Sequence, residues 1–430
     1  VSNPEPNDVQ GLPARAAALD LLSAALSRRA GLDEGLNHPA LKALEPRDRA
    51  FARALVMATL RRLGPIDAAL QSRLSKPPSD RVVQILRLGV AQAFVLNTPA
   101  HAAVTTSVDL AAADKGSRPL KGLVNAVLRG LVREPPDLDQ PDLLAPMWLY
   151  ARWRAAFGEA EARAIVGLIP QEPATDLSLR VKADAAALAG PLEAEILAGG
   201  TLRTALRGEV SAWPGFAEGR WWVQDAAAAV PARLLKVEEG ETALDMCAAP
   251  GGKTLQLAAA GAKVTAVDKS AGRLMRVAEN LERVGLTAEV VTADAAQWGG
   301  TRQFDAVLLD APCSATGTFR RHPDVLWAAK ASDIAGLAAV QSRLLDAAGR
   351  RTRPGGRLVY CVCSLEPEEG EAQAQAFLSR TPQFGPDPIE PGEGGAPAAS
   401  LRADGTLRIL PHHREGGTDG FYIARFRRAE

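Results

Sequence analysis

Leu244-Asp245-Met246-Cys247-Ala248-Ala249-Pro250-Gly251-Gly252-Lys253-Thr254 reads as a strand running into a turn of small residues and glycine, with a helix opening at Lys253 or Thr254. Glycine lets a backbone approach a ligand closely, and the free amides at a helix start favour an anionic group. Seventeen residues after Gly251, Asp268 closes the next apolar run, Val264-Thr265-Ala266-Val267. An acid there is placed to accept hydrogen bonds from ribose hydroxyls. Asp294, after the third apolar run, is placed to receive an adenine amino group. Gly-x-Gly-x-x-Gly is absent, which weighs against a nicotinamide cofactor, and the upstream glycine of a P-loop is missing. A cofactor with ribose and adenine but no phosphates, such as S-adenosylmethionine, fits the loop better.

Outward from this stretch, apolar runs at 243–248, 263–268, 288–293, 304–310 and 356–363 alternate with helical patterns. That alternation predicts an α/β Rossmann-like domain over 223–430, with a mostly parallel sheet between helices. Further strands are expected at 407–410 and 421–426. Upstream, residues 13–135 read as an all-α bundle: Leu120, Leu123, Val124, Val127, Leu128 and Leu131 form one helical stripe, and so do Val82, Ile85, Leu86, Gly89, Val90 and Ala93. Pro46 and Pro65 sit where helices could start. The Pro- and Asp-rich 136–146 has the composition of a linker, and 1–12 that of a flexible tail. Between them and the sheet, 147–222 is expected to form a small α+β module, with helix over 147–169 and near 185–197.

The chain has 430 residues, enough for two or three cores. No apolar run reaches membrane-helix length, and the start lacks a signal-peptide pattern, so a cytoplasmic protein is expected. Net charge is zero, but residues 1–135 hold 18 Lys and Arg against 12 Asp and Glu. That excess is compatible with a polyanionic partner and equally with an ordinary solvated surface.

All four cysteines, Cys247, Cys313, Cys361 and Cys363, lie in the second half. A disulfide framework does not suit a chain with no export signal. Cys-x-Cys with two singletons lacks the paired Cys-x-x-Cys knuckles of zinc sites, so no metal is expected. Leu308-Leu309-Asp310-Ala311-Pro312-Cys313-Ser314 leaves the fourth strand and Tyr360-Cys361-Val362-Cys363-Ser364 the fifth. Ligands of open α/β sheets bind at the carboxyl ends of strands, so Cys313 and Cys363 should face one crevice beside the 247–253 loop. Alternation puts Cys361 and Cys363 on one face, and position at the strand's end favours Cys363. Such a pair suits methylation of cytosine at carbon 5, a poor nucleophile until a thiolate adds to carbon 6. Asp310 could hold the base's N3 and amino edge. The base would have to be unstacked or flipped.

Asp245 to Thr254, Asp310 to Gly317, and Cys363-Ser364 with Pro367-Glu368-Glu369 resemble the RsmB/Sun family of RNA 5-cytosine methyltransferases. So do Gln224-Asp225-Ala226-Ala227, Arg320-Arg321-His322-Pro323-Asp324 and Asp419-Gly420-Phe421. The resemblance implies Cys363 as nucleophile and Cys313 as the thiol that assists release. It also implies cofactor contacts from Cys247, Ala248, Ala249, Pro250, Gly251, Gly252, Lys253, Asp268, Asp294 and Asp310. Asp48-Arg49-Ala50-Phe51 and Lys121 to Arg129 are among the segments similar to a NusB-like domain, which points to small-subunit (16S) ribosomal RNA as partner. Val362 stands where the family usually has Thr. The same chemistry on transfer RNA, or a non-enzymatic NusB-like RNA-binding or transcription factor, are the alternatives. Arg320 and Arg321 are candidate phosphate contacts, and a monomer is expected.

Overall fold

The computed structural model describes residues 11–27, 32 and 39–430; the tail expected over 1–12 lies almost wholly outside them. The chain divides into two compact units, residues 1–171 with 321–329, and residues 172–320 with 330–430.

The first unit is helical. Its main helices are Leu12–Leu26, Pro46–Arg61, Leu63–Gln71, Asp80–Phe94, Ala100–Ala113 and Lys121–Arg133. Leu19, Leu22, Leu55, Leu60, Ile85 and Val124 meet in its core, as their helical spacing requires. Pro46 opens its helix at the first turn, where a missing N–H costs nothing. Pro65 falls third in Leu63–Gln71 instead, still within the turn whose amides lack helical partners. The expected linker is partly packed, with Leu138 and Leu144 buried. Helix over 147–169 forms as two pieces, Met147–Phe157 and Glu159–Val166, broken at Gly158, and both belong to this unit. Residues 321–329 belong to it as well. There Asp324 Oδ2 accepts the Leu32 amide at 3.0 Å, and Trp327 Nε1 donates to Leu60 O at 3.0 Å.

The second unit begins with a small antiparallel sheet of β1 (Thr175–Leu179), β2 (Ala194–Ile196), β3 (Leu202–Thr204) and β4 (Trp221–Val223), in the order β2-β3-β1-β4. Leu177, Leu188, Leu202, Trp213 and Trp221 form its core. Helix near 185–197 is only Ala185–Ala189: Gly190 ends it and Pro191 disfavours a helical residue before it, so the chain extends into β2. Asp176 and Arg203 form a buried bidentate pair at 2.7 and 2.8 Å, and Asp176 Oδ2 also accepts the Ala226 amide at 2.9 Å.

The large sheet comprises β5 (Thr242–Met246), β6 (Lys263–Asp268), β7 (Glu289–Thr292), β8 (Phe304–Asp310), β9 (Thr352–Val362), β10 (Phe384–Pro386), β11 (Leu407–Ile409) and β12 (Phe421–Arg428). Its order is β10-β12-β9-β8-β5-β6-β7, with β11 on β12. Strands β5 to β9 pair in parallel, and β12 runs antiparallel to β9. This is the expected Rossmann-like sheet, preceded along the chain by an all-α bundle and a small α+β module. No helix among the described residues is long and apolar enough to cross a membrane.

Replacing Arg203 by Leu strands the buried Asp176 carboxylate. Chemical denaturation should show a loss of about 3–5 kcal/mol in the second unit's stability; an unchanged midpoint would contradict a structural role for the pair.

Candidate active site

The loop after β5 turns where its sequence allows. Gly251 caps helix Gly252–Ala259 with φ at +105°, a conformation that glycine adopts without strain. Cys247 also lies in the left-handed region, with φ at +63°. Beneath the loop Asp245 is fully buried; its Oδ2 accepts Thr254 Oγ1 at 2.6 Å, and its Oδ1 has no hydrogen-bond partner among the described residues. Burial, helped by the Asp310 charge, pushes its carboxyl up to about 7.

Asp268 ends β6 and accepts the Ala249 amide at 3.2 Å and the Ser270 amide at 2.9 Å. Each carboxylate oxygen has two lone-pair directions, so two amides leave acceptor capacity. Cys247, Asp268, Asp294, Pro312, Arg343 and Leu344 are among the residues around a cavity of about 450 Å³. Two carboxylates, an aliphatic wall and a cation suit a ligand with a ribose diol, an adenine and an amino-acid moiety. That is the donor and acceptor set of S-adenosylmethionine, and the residues fit it.

Beside the cavity, Lys253 Nζ bonds Asp310 Oδ2 at 2.7 Å, and Cys361 Sγ lies 3.4 Å from Asp310 Oδ1. Cys313 and Cys363 bring their sulfurs to 3.5 Å. Burial disfavours the Lys253 ammonium, but Asp310, Cys361 and Cys363 outweigh it and hold its pKa above the ordinary value. The Cys313 thiol is pushed well up by its hydrogen bond with Cys363 and by burial. Burial and the Asp310 charge do the same to Cys361, while burial with Asp310 and Asp268 pushes Cys247 up to about 12. The loops are locked by main chain: Gly317 N donates to Cys363 O at 2.9 Å, and Gly420 N to Gly317 O at 2.8 Å. A Cβ on Gly317 would lie 2.2 Å from Gly420 O, so only glycine fits.

Every catalytic and cofactor-binding residue named from the sequence thus sits at the same edge of the sheet, whereas Arg321 belongs to the first unit. Among the contacts that were not foreseen are the Lys253–Asp310 pair and Cys361 on Asp310. Arg320, a candidate phosphate contact by sequence, is buried and donates to Gly416 O at 2.6 Å, with Asp225 3.9 Å away.

The family model described as 16S rRNA methyltransferase RsmB/F matches residues 232–427, and that of the NusB family matches 12–133. Ribosomal RNA small subunit methyltransferase B of Vibrio cholerae serotype O1 is 38% identical over 408 residues, covering 89% of this chain and 90% of that protein. The protein of the same name from Pseudomonas syringae pv. tomato is 38% identical over 438 residues, covering 96% of each. The chain belongs to the RsmB/F family of 16S rRNA methyltransferases. It is therefore an S-adenosylmethionine-dependent RNA methyltransferase, and the non-enzymatic alternative falls away. Among solved structures, PH0851 shares the fold at a TM-score of 0.80 and 23% identity, each chain covered to 99%. A methyltransferase homologue from Pyrococcus horikoshii gives a TM-score of 0.55 at 25% identity, covering 70% of this chain and 98% of that one.

The Asp245 carboxyl titrates near 7 in the folded chain against about 3.9 in the unfolded one. Between those values the unfolded chain gives up its proton first, so this stabilisation is complete below about pH 4 and lost as pH rises through about 7. Denaturation of Asp245→Asn at pH 5 and pH 8 should show a smaller decline than the parent chain, by roughly a few kcal/mol. Equal declines in both proteins would refute it.

Proposed function

We propose that the chain methylates carbon 5 of a cytosine in small-subunit ribosomal RNA, with Cys363 as the covalent nucleophile. The observation that carries this reading is the 3.5 Å approach of the Cys313 and Cys363 sulfurs at two adjacent strand ends. The contact with Cys363 and burial keep Cys313 protonated, so the Cys313 S–H is the one to donate towards the Cys363 sulfur. The Lys253 ammonium, whose charge couples to Cys363, adds a positive field.

The Cys363 thiolate adds to carbon 6, and the electron pair of the 5,6 double bond moves to carbon 5. S-adenosylmethionine, when bound, supplies the electrophilic methyl group that carbon 5 takes up. A base then removes the carbon 5 proton; its electron pair re-forms the double bond, and the Cys363 thiolate leaves with Cys313 as hydrogen-bond donor. Asp310, anchored by Lys253, would accept from the cytosine amino group and share the proton that N3 carries in the adduct. Cys247 to Lys253 and Asp310 would line the cofactor, with Asp268 on the ribose diol and Asp294 on the adenine amino group. Carbon 6 is out of reach inside a duplex, so the partner we propose is accessible RNA of an unassembled or partly assembled subunit in the cytoplasm. The reading takes the protein to act as a monomer and without a metal.

Labelled methyl transfer to small-subunit RNA should fall at least on the order of 10³-fold in Cys363→Ala. Retained activity would sink the nucleophile, and bisulfite mapping of the product would reveal any atom other than carbon 5. Cys313→Ala should accumulate a covalent protein–RNA adduct on denaturing gels, because addition precedes release. Unchanged turnover with no adduct counts against its role in release.

A further inference from the structure

We propose that Glu369 is the positioning residue that ties the two cysteine-bearing loops together and sets the approach of Cys313 to Cys363. The inference rests on the reading of those two thiols given above.

Glu369 is fully buried beneath both loops. Its Oε2 accepts Ser314 Oγ and Ser364 Oγ, each at 2.5 Å, and the two hydroxyl oxygens are 3.0 Å apart. Its Oε1 accepts the Ser314 amide at 2.9 Å and Gln341 Nε2 at 3.1 Å. Ser314 and Ser364 are the residues that directly follow Cys313 and Cys363. One carboxylate therefore holds the same position in each of two loops that are 50 residues apart in sequence.

The surroundings brace this clamp from two further sides. Gln341, fully buried on helix Ala331–Arg351, also donates to Pro312 O at 2.9 Å, so it grips the residue before Cys313. Tyr360 OH donates to Glu369 O at 2.5 Å and ties the carboxylate's own backbone to β9. Ser364 Oγ in turn accepts the Glu366 amide at 3.0 Å. Burying a carboxylate costs far more than burying an apolar side chain of that size unless hydrogen bonds compensate. Here all four partners named on its oxygens lie in or beside the cysteine loops, so the compensation also fixes those loops. A thiolate that must meet carbon 6 in line, with a second thiol within hydrogen-bond reach, tolerates displacements well under an ångström.

The test uses the full chain and small-subunit RNA, comparing the parent protein with Glu369→Ala, the double variant Ser314→Ala/Ser364→Ala, and Cys363→Ala. Three quantities are read: S-adenosylmethionine affinity, single-turnover methyl transfer, and the rate of adduct formation on a Cys313→Ala background. Glu369→Ala and the double-serine variant should bind the cofactor as the parent does. Both should transfer methyl and form adduct on the order of 10- to 100-fold more slowly. A purely structural role would lower the folded fraction and leave the rate per folded molecule unchanged, and that result overturns the proposal. A loss confined to cofactor affinity overturns it too. If Glu369→Ala does not fold, the double-serine variant decides alone, since it keeps the Gln341 and Ser314 amide bonds. Activity retained by Cys363→Ala refutes the nucleophile reading itself. An inactive Cys363→Ala beside an unimpaired double-serine variant refutes only the clamp.

Discussion

Parallel pairing of β8 between β5 and β9 is the constraint on which the rest depends. Met246 lies opposite Leu309, and Asp310 opposite Cys361. Parallel strands finish at the same edge, with neighbours about 4.8 Å apart. Three loops that are remote in sequence must then emerge side by side: 247–253, 311–317 and 363–369. Antiparallel β12 completes the row by starting at this edge, which brings the Phe421 ring to within 5.4 Å of Lys253 Nζ. The crossover helices can vary, but the meeting of those loops cannot without breaking the sheet.

Gathering polar groups at a buried edge has an electrostatic cost, and the chain meets it by sharing. Lys253 and Asp310 neutralise each other, and the carboxylate also meets the Cys361 sulfur. Asp245, one layer down, rises toward neutrality and keeps Thr254 at the helix start. With the Cys247, Cys313 and Cys361 thiols all pushed up, negative charge is kept off the surrounding sulfurs. The arrangement resembles a set of screens around one reactive position.

Much of this was legible in the sequence because it is local. Apolar runs marked β5 to β9 to within a few residues, and strand ends marked Asp268, Asp310 and Cys363. Glycine spacing marked the loop that Gly251 turns. What escaped depends on partners far apart along the chain. Lys253 and Asp310 are separated by 57 residues, and Ser314 and Glu369 by 55. No spacing rule announces that such groups will meet, and the Pro-Glu-Glu segment carried a resemblance but no contact. Arg320 looked like a surface cation because arginine usually is one; its burial follows from Asp225 and Gly416, which sequence alone does not place beside it. The halves of 147–222 part because the two helices belong to the first unit, where Arg61 Nη1 donates to Ile169 O at 3.2 Å, a long-range contact that composition does not reveal.

The excursion of residues 321–329 makes the helical unit discontinuous in the gene. Trp327 and Asp324 reach it from the segment that directly follows the Cys313 loop, and Trp327 packs against its core. A cut after Gln171 would therefore release a bundle with one of its own pieces missing and an indole-shaped gap beside Leu60. The two units are interleaved rather than strung in series. Recombining one helical unit with another catalytic domain would require carrying this nine-residue segment along with it.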